Sequence, residues 1–208
     1  EFKEVHVKIF NTGKLEIPGI QYDELLTITL DKLISILKPH TNENIQYNKD
    51  DISTVLINSN FSCGFYIDRF KLYKILKDKY NISAAYDPCS YPGIQCKFHY
   101  NKYNGFDVQL HLGYKIKYED LPDPGNLVRT FNKQDYDNSW QEISFMIFRT
   151  GSVLIVGNCD SYVLNIIYKY LKQLLFDEYP EIYIKHNNTK KKQSVKKIKK
   201  KTILFTVK

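Results

Sequence analysis

The side chains best suited to catalysis or metal binding are the cysteines and histidines, and their spacing favours neither role. The cysteines form no CxxC pair and have no histidine cluster at zinc-ligand spacing beside them; they are Cys63, Cys89, Cys96 and Cys159. We expect reduced thiols, mostly in the core of an intracellular protein. The histidines are scattered, although His99 and His111 are close enough in sequence to meet across a hairpin.

The chain also lacks the short motifs that mark common enzyme sites. It contains no P-loop, no GxGxxG fingerprint, no HExxH and no nucleophile-elbow sequence. No stretch of eighteen apolar residues is present, so the sequence predicts no membrane span. We therefore expect a protein that is not an enzyme, needs no cofactor and has no membrane partner.

Charge is divided unevenly along the chain. The net charge is +7, but residues 185–208 contain ten lysines and no acidic residue, which leaves 20 basic and 23 acidic residues, a net charge of −3, in residues 1–184. Such a lysine-rich tail is typical of an electrostatic arm or a nuclear localisation signal. On DNA, each phosphate that it neutralised would contribute about −0.9 to the slope of log affinity against log salt, without reading sequence.

An internal sequence repeat organises the rest of the chain. Residues 7–19 align without a gap with residues 145–157, at an offset of 138, and six of the thirteen positions are identical. Each copy has an apolar run, a Thr-Gly turn dipeptide, a second apolar run and then apolar residues at helical spacing. The predicted unit is strand, turn, strand and helix, with Asp160 or Ser161 as the N-cap of the second helix.

The sequence between the two copies predicts further elements. A strand is expected over 53–61, a helix capped by Asp68 over 68–80, and another strand over 94–100. The pattern at 106–114 also allows a strand. Residues 117–138 are rich in Gly, Pro, Asn and Asp, which predicts an irregular surface loop.

The order of these elements and three motifs resemble the TATA-box-binding protein family. The segments IFNTGK at 9–14 and IFRTGS at 147–152 are similar to the family's IF-x-S-G-K strand and turn. The segment YDPCSYPGI at 86–94 resembles its Y-x-P-x-x-F-P-G-L corner. The resemblance covers about residues 5–38 and 52–175. The Lys/Asn/Ile/Tyr-rich composition and the long insertion are more similar to the family's relatives in large DNA viruses than to cellular copies.

The resemblance implies an α+β fold of the TBP-like saddle type, a pseudo-twofold repeat of a curved antiparallel sheet with helices on its convex face. Residues 1–50 would be the C-terminal part of the first repeat, and 51–184 the second repeat, with an insertion at about 101–138. Residues 185–208 would form the basic tail. The first repeat lacks the family's opening strand and helix, which the resemblance places upstream of Glu1.

In this family, aromatic wedges from the concave face push between base steps of the minor groove and bend the duplex. By position, Phe10 matches one wedge of the first repeat, and Tyr91 and Phe148 match both wedges of the second. Strand alternation independently places Phe10 and Phe148 on the face opposite Ile9 and Ile147. The same alternation also allows both rings to pack in a core or under the loop.

Polar and aliphatic strand residues complete the implied DNA contacts. Lys14 matches a phosphate-contacting lysine. Lys97 stands where the family has an arginine, so this position keeps its positive charge but loses the planar guanidinium group and its paired donors. For either lysine, an ordinary solvated surface position is the alternative. Asn58 and Asn60 would be the polar readers of the minor groove. The remaining predicted contacts are Lys8, Met146, Leu154 and Val156.

Several residues depart from the family's pattern. Pro18 and Val156 stand in place of threonines, and Ser152 replaces the lysine of the second repeat. Glu16 would meet phosphates or base edges unfavourably, and Tyr91 adds a hydroxyl to a wedge. Together with the net charge of −3, these changes predict weaker DNA binding or an altered sequence preference.

Two functions remain open at this point. The resemblance implies a general transcription initiation factor that binds and bends A/T-rich promoter DNA through the minor groove. Its convex helices would contact transcription factors or RNA polymerase subunits, in the nucleus or in a cytoplasmic viral factory. The alternative is a protein-interaction module that keeps the fold, binds a protein on its concave face and has weak or no sequence-specific DNA binding.

Overall fold

A computed structural model describes residues 4–41, 44–105, 107–122 and 131–185, except for the side chain of Val108. The chain divides into two compact units, Glu1–Thr54 and Val55–Lys208. The predicted basic tail lies outside the described residues from position 186 onward. Within the described parts of the chain, no helix is long and apolar enough to cross a membrane.

The first unit contains a short hairpin followed by a helix. Strand β1 (Lys8–Ile9) pairs antiparallel with β2 (Leu15–Glu16), and helix α1 covers Asp23–Leu37. Short 3-10 helices follow at Lys38–His40 and Lys49–Asp51.

The strand alternation that sets Ile9 opposite Phe10 does not bury Ile9. Val5 and Val7 are half-buried, but the side chain of Ile9 is 53% exposed. In the described part of this unit Leu30 is the only buried residue. A two-stranded ribbon without a covering layer cannot bury one of its faces, whatever the alternation of its side chains.

The second unit holds a mixed α and β architecture. In chain order its helices and strands are β3 (Ile57–Ser62), β4 (Tyr66–Ile67), α2 (Arg69–Asp78), β5 (Ser83–Ala85), β6 (Gly93–Asn101), α3 (Lys133–Asn138), β7 (Trp140–Phe148), β8 (Ser152–Gly157), α4 (Ser161–Asp177), α5 (Tyr179–Ile182) and β9 (Tyr183–Ile184). Short 3-10 helices cover Lys102–Asn104, Val108–Leu110 and Tyr118–Asp120.

A five-stranded antiparallel sheet forms the centre of this unit, in the order β3-β8-β7-β6-β5, and β4 pairs separately with β9. One face of the sheet packs against α2 and α4 to form the core. Alternate residues of the central strands point into this core, which the strand period of two requires. The buried strand residues are Ile94, Cys96, Phe98, Ile143, Phe145, Ile147, Val153 and Ile155. Burying each of the larger side chains contributes about 1.5–3 kcal/mol to stability.

Helix starts follow the predicted capping residues. The Asp68 carboxylate accepts hydrogen bonds from the backbone N–H groups of Phe70 and Lys71, each at 3.1 Å, and α2 begins at the next residue. Asp160, one of the two predicted caps, accepts from the N–H of Val163 at 2.8 Å. Each cap satisfies backbone donors that have no partner inside the helix.

The insertion differs from its prediction in two places. No strand forms over the described part of 106–114, where His99 makes a single bridge to Gly113. The described part of 117–138 is not an irregular surface loop, because α3 lies within it and Tyr136 is fully buried. Asn101 donates to the Tyr136 carbonyl at 2.9 Å, and the Tyr136 ring packs edge-on against Trp140. This packing overrides a composition that is otherwise typical of a loop.

Candidate nucleic-acid interface

Six of the predicted contacts lie in two adjacent rows across the face of the sheet that α2 and α4 do not cover. The strand register sets both rows, because residues opposite one another share a face. The first row is Asn58, Val156, Ser144 and Lys97, and the second row is Asn60, Leu154, Met146 and Gln95. We call these eight residues the open face.

The open face is polar at its two sides and mainly apolar in the middle, where Ser144 is the one polar residue. Asn58 and Asn60 are exposed on the edge strand β3, and Lys97 is exposed on β6. The side chains between them, on β7 and β8, are half-buried. The neighbouring residues Ile147 and Ile155 point the other way and are buried in the core. The surface is therefore a shallow apolar strip with amide and charged groups beside it.

Two aromatic rings stand together at one end of the open face. The ring centroids of Tyr91 and Phe148 are 6.0 Å apart with an interplanar angle of 56°. The Tyr91 hydroxyl lies 3.4 Å from the Met146 sulfur and donates to it. A Cβ atom at Gly93 would lie 3.0 Å from each ring, so the absence of a side chain at this corner permits the close approach. The two wedges predicted for the second repeat are thus neighbours.

The backbone at Phe148 is fixed by a tight turn. The Gly151 N–H donates to the Phe148 carbonyl at 2.9 Å, and Gly151 has a φ of +79°, a region that glycine adopts without strain. In the first unit the Gly13 N–H donates to the Phe10 carbonyl at the same 2.9 Å distance. The Phe10 side chain is exposed and lies in the first unit, whereas Phe148 lies in the second.

The charge of Lys97 is neutralised within the protein. Its Nζ lies 2.5 Å from Glu142 Oε1, and His99 Nε2 lies 3.6 Å from the other oxygen of that carboxylate. The hydrogen bond from Lys97 is the largest influence on Glu142 and holds the pKa of this carboxyl below its ordinary value of 4.5. Partial burial opposes this effect, and the nearby charges of Lys97, His99 and Lys115 add to it. Glu142 is a member of the site that the sequence analysis missed, although alternation from Ser144 would have located it.

A similar ion pair occurs in the first unit. Lys8 and Glu16 face each other across the β1–β2 hairpin, with Nζ and Oε1 3.0 Å apart, and both side chains are more than half exposed. Lys14 is also exposed, and no carboxylate lies within 4 Å of it among the described residues. Three predicted contacts, Phe10, Lys8 and Lys14, therefore lie in the first unit and the other eight in the second.

A cleft next to the aromatic pair contains further residues that the sequence analysis missed. It has a volume of about 550 Å³ and is lined by Arg69, Pro92, Phe148, Arg149, Thr150 and Ser152. Arg149 directly follows a predicted wedge, so its position could have been inferred from the turn. Nothing in the local sequence around Arg69, at the start of α2, indicated that it would reach the same place.

The thiols and acids form no candidate metal site within the described residues, and two of the thiols are buried. No group of three or more His, Cys, Asp or Glu side chains there could hold a metal ion. All four cysteines are free, and two of them, Cys96 and Cys159, are buried. Burial raises the pKa of both thiols, which keeps them protonated and unreactive.

Comparison with known proteins gives a distant relative. The chain is 26% identical over 194 residues to a TATA-box-binding protein-like protein of Acanthamoeba polyphaga mimivirus, covering 86% of this chain and 45% of that protein. The chain thus spans about half the length of the curated relative that it matches. No protein-family model matches it. The predicted resemblance to divergent viral proteins of the TATA-box-binding type is confirmed by this relative.

Proposed function

We propose that this chain is a transcription initiation factor that binds A/T-rich duplex DNA through the minor groove and bends it. The observation that carries the proposal is the placement of eight predicted contacts on or beside the open face, with Tyr91 and Phe148 together at one end. The similarity to the TATA-box-binding protein-like protein of mimivirus supports the same function.

The chemistry of the open face suits a minor groove. The aliphatic strip of Met146, Leu154 and Val156 would lie against the sugar walls and the groove floor, where A·T pairs present only acceptor atoms. The amides of Asn58 and Asn60 supply donors for these acceptors. The aromatic pair would enter a base step, at an unstacking cost of about a few kcal/mol that is offset by contacts to the bent duplex.

The first unit and the helices take supporting roles in this proposal. Phe10 would enter a second base step, and Lys14 and Lys8 would contact phosphates. Transcription factors or RNA polymerase subunits would bind the helices on the far side of the sheet. Exposed Phe70 on α2 and exposed Phe176 on α4 are apolar groups available for such partners.

The decisive experiment measures binding and bending together. Duplexes with end-to-end fluorophore pairs, one A/T-rich and one G/C-rich, are titrated across a salt series with the full chain and with a chain lacking residues 186–208. We expect bending that favours the A/T-rich duplex and survives removal of the tail. Phe148→Ala should abolish bending, whereas the matched control Phe176→Ala should leave it unchanged, because Phe176 is exposed on α4. Binding that disappears with the tail, and never bends the duplex, would refute the proposal.

A second candidate function follows from the ion pairs. Lys97 and Lys8 are both neutralised by glutamates, and residues 1–184 carry a net charge of −3. Both features reduce attraction to phosphate and favour a protein partner over DNA. Co-purification with polymerase or transcription-factor subunits after nuclease treatment, together with no measurable duplex affinity, would favour this function over the first.

A further inference from the structure

Two arginines beside the aromatic pair differ from Lys97 and Lys8 in their charge partners. Lys97 and Lys8 each have a glutamate within 3.0 Å, but neither Arg69 nor Arg149 has a carboxylate within 4 Å among the described residues. Asp87, which follows Tyr86 in the chain, accepts hydrogen bonds from the N–H of Cys89 and the hydroxyl of Ser90. The cleft is therefore a place where positive charge is left uncompensated.

Arg69 is held by its guanidinium group, and Arg149 by its backbone. A guanidinium N–H of Arg69 donates to the Pro92 carbonyl, and the Arg69 guanidinium carbon lies 5.3 Å from the centre of the Tyr86 ring. The Arg149 backbone is fixed by a 2.9 Å hydrogen bond from the Ile67 N–H to its carbonyl. The fixed guanidinium donors of Arg69 lose little conformational entropy on binding, which favours affinity.

The donors in the cleft suit a phosphodiester. Two arginines and the hydroxyl-bearing residues Thr150 and Ser152 line it, while Pro92 and Phe148 supply apolar surface for a sugar ring. The planar guanidinium fork matches phosphate oxygens in a bidentate geometry that lysine cannot reproduce. Only three of the 30 basic residues are arginines, and two of these three line this one cleft.

We propose that the cleft between Arg69 and Arg149 binds a backbone phosphate of the duplex, next to the base step that Tyr91 and Phe148 enter. This inference rests on the proposed function and adds the residues that fix the DNA strand beside the wedges. A phosphate held there keeps the duplex in register while the step opens. Its contribution to affinity is independent of base sequence, because phosphates carry no sequence information.

The test uses the full chain and the two fluorescent duplexes described above. Arg149→Gln and Arg69→Gln should each weaken binding to both duplexes about tenfold, the size of one charge-assisted hydrogen bond. Each should also reduce the magnitude of the salt slope by about 0.9, without changing the ratio of A/T-rich to G/C-rich affinity. Arg149→Lys should restore the slope but not the full affinity. Lys172→Gln, which removes an exposed charge from α4 on the far side of the sheet, should leave both quantities unchanged.

The outcomes separate this inference from the proposed function. If Phe148→Ala abolishes bending but both arginine variants keep the affinity and slope of the unmodified chain, the open face binds DNA and the phosphate site is refuted. If the unmodified chain does not bend duplex, both proposals fail. In that case, binding of a fluorescent glutamate-rich peptide that is lost in Arg149→Gln would assign the cleft to acidic protein segments instead. Thermal unfolding of each variant shows whether a loss reflects the site or the fold.

Discussion

A strand–turn–strand–helix segment lies in each unit, and the two segments share the position of the turn glycine and of the helix start but differ in burial. Their helices begin at Asp23 and Ser161, which correspond at the repeat offset of 138. Their turns share a glycine of positive φ whose N–H bonds to the carbonyl of a phenylalanine. In the second copy the strands lie inside a five-stranded sheet, whereas in the first they form a ribbon of two.

Burial shows what the extra strands contribute. Ile147 of the second copy is fully buried, but the corresponding Ile9 is 53% exposed. The helix position Leu174 is 2% exposed, but its counterpart Ile36 is 53% exposed. Similar residues at equivalent positions therefore contribute very differently to stability, because apolar side chains stabilise only when other elements cover them.

The largest expected contrast lies in this pair of isoleucines. Ile147→Ala should lower the free energy of unfolding of the second unit by about 2–5 kcal/mol, since it opens a cavity in a closed core. Ile9→Ala should change the stability of its unit by less than about 0.5 kcal/mol, as is usual for exposed positions. Denaturant titrations followed by circular dichroism measure both effects. Equal losses at the two positions would mean that Ile9 is buried in the folded protein.

The turn glycines provide a sharper test, since their backbone conformations are nearly identical. Gly13→Ala should cost about 1 kcal/mol, the usual penalty for placing a side chain at positive φ. Gly151→Ala should cost more than Gly13→Ala, because its Cβ would also clash with the Phe65 carbonyl oxygen and the Cys63 sulfur, whereas nothing lies within 4 Å at Gly13. Melting temperatures of the two variants give the comparison. A similar shift for both would show that backbone strain alone decides the cost.

The smallest contrast concerns a buried and an exposed glutamate. Glu178 accepts hydrogen bonds from Lys79 and from the Tyr80 hydroxyl, each at 2.6 Å, and its side chain is 7% exposed. Burial, the largest single influence, raises the pKa of Glu178, but the two hydrogen bonds and the charge of Lys79 together outweigh it and lower the pKa. Glu178→Gln should therefore cost about 1–3 kcal/mol, whereas Glu16→Gln in the first unit should cost almost nothing.

The sign of the pH dependence follows from the lowered pKa. A carboxyl whose folded pKa is depressed contributes stability that is fully present above its unfolded value, near 4.5, and is lost as the pH falls through the folded value. Unfolding measured from pH 7 to pH 3 should show stability falling below about pH 4.5. The fall should be smaller in Glu178→Gln than in the unmodified chain. A profile identical in both proteins would show that Glu178 does not contribute to the pH dependence of stability.

Local sequence was sufficient for the elements that depend on near neighbours. The caps Asp68 and Asp160, the two glycine turns and the alternation along β7 were all predictable, because each is decided within a few residues of the chain. The alternation also placed Phe148 on the face opposite Ile147, where the structure has it. The DNA-binding role of that face stays a prediction.

Only the tertiary structure decided which distant residues meet. The sheet register brings Lys97 to Glu142, 45 positions away, and the packing of α2 brings Arg69 to the Pro92 carbonyl and into the cleft with Arg149. The same packing makes Tyr136 a buried residue inside a loop-like sequence and leaves Ile9 exposed within a strand-like one. Sequence patterns record the preferences of each segment, but burial and charge pairing depend on which other segments lie against it.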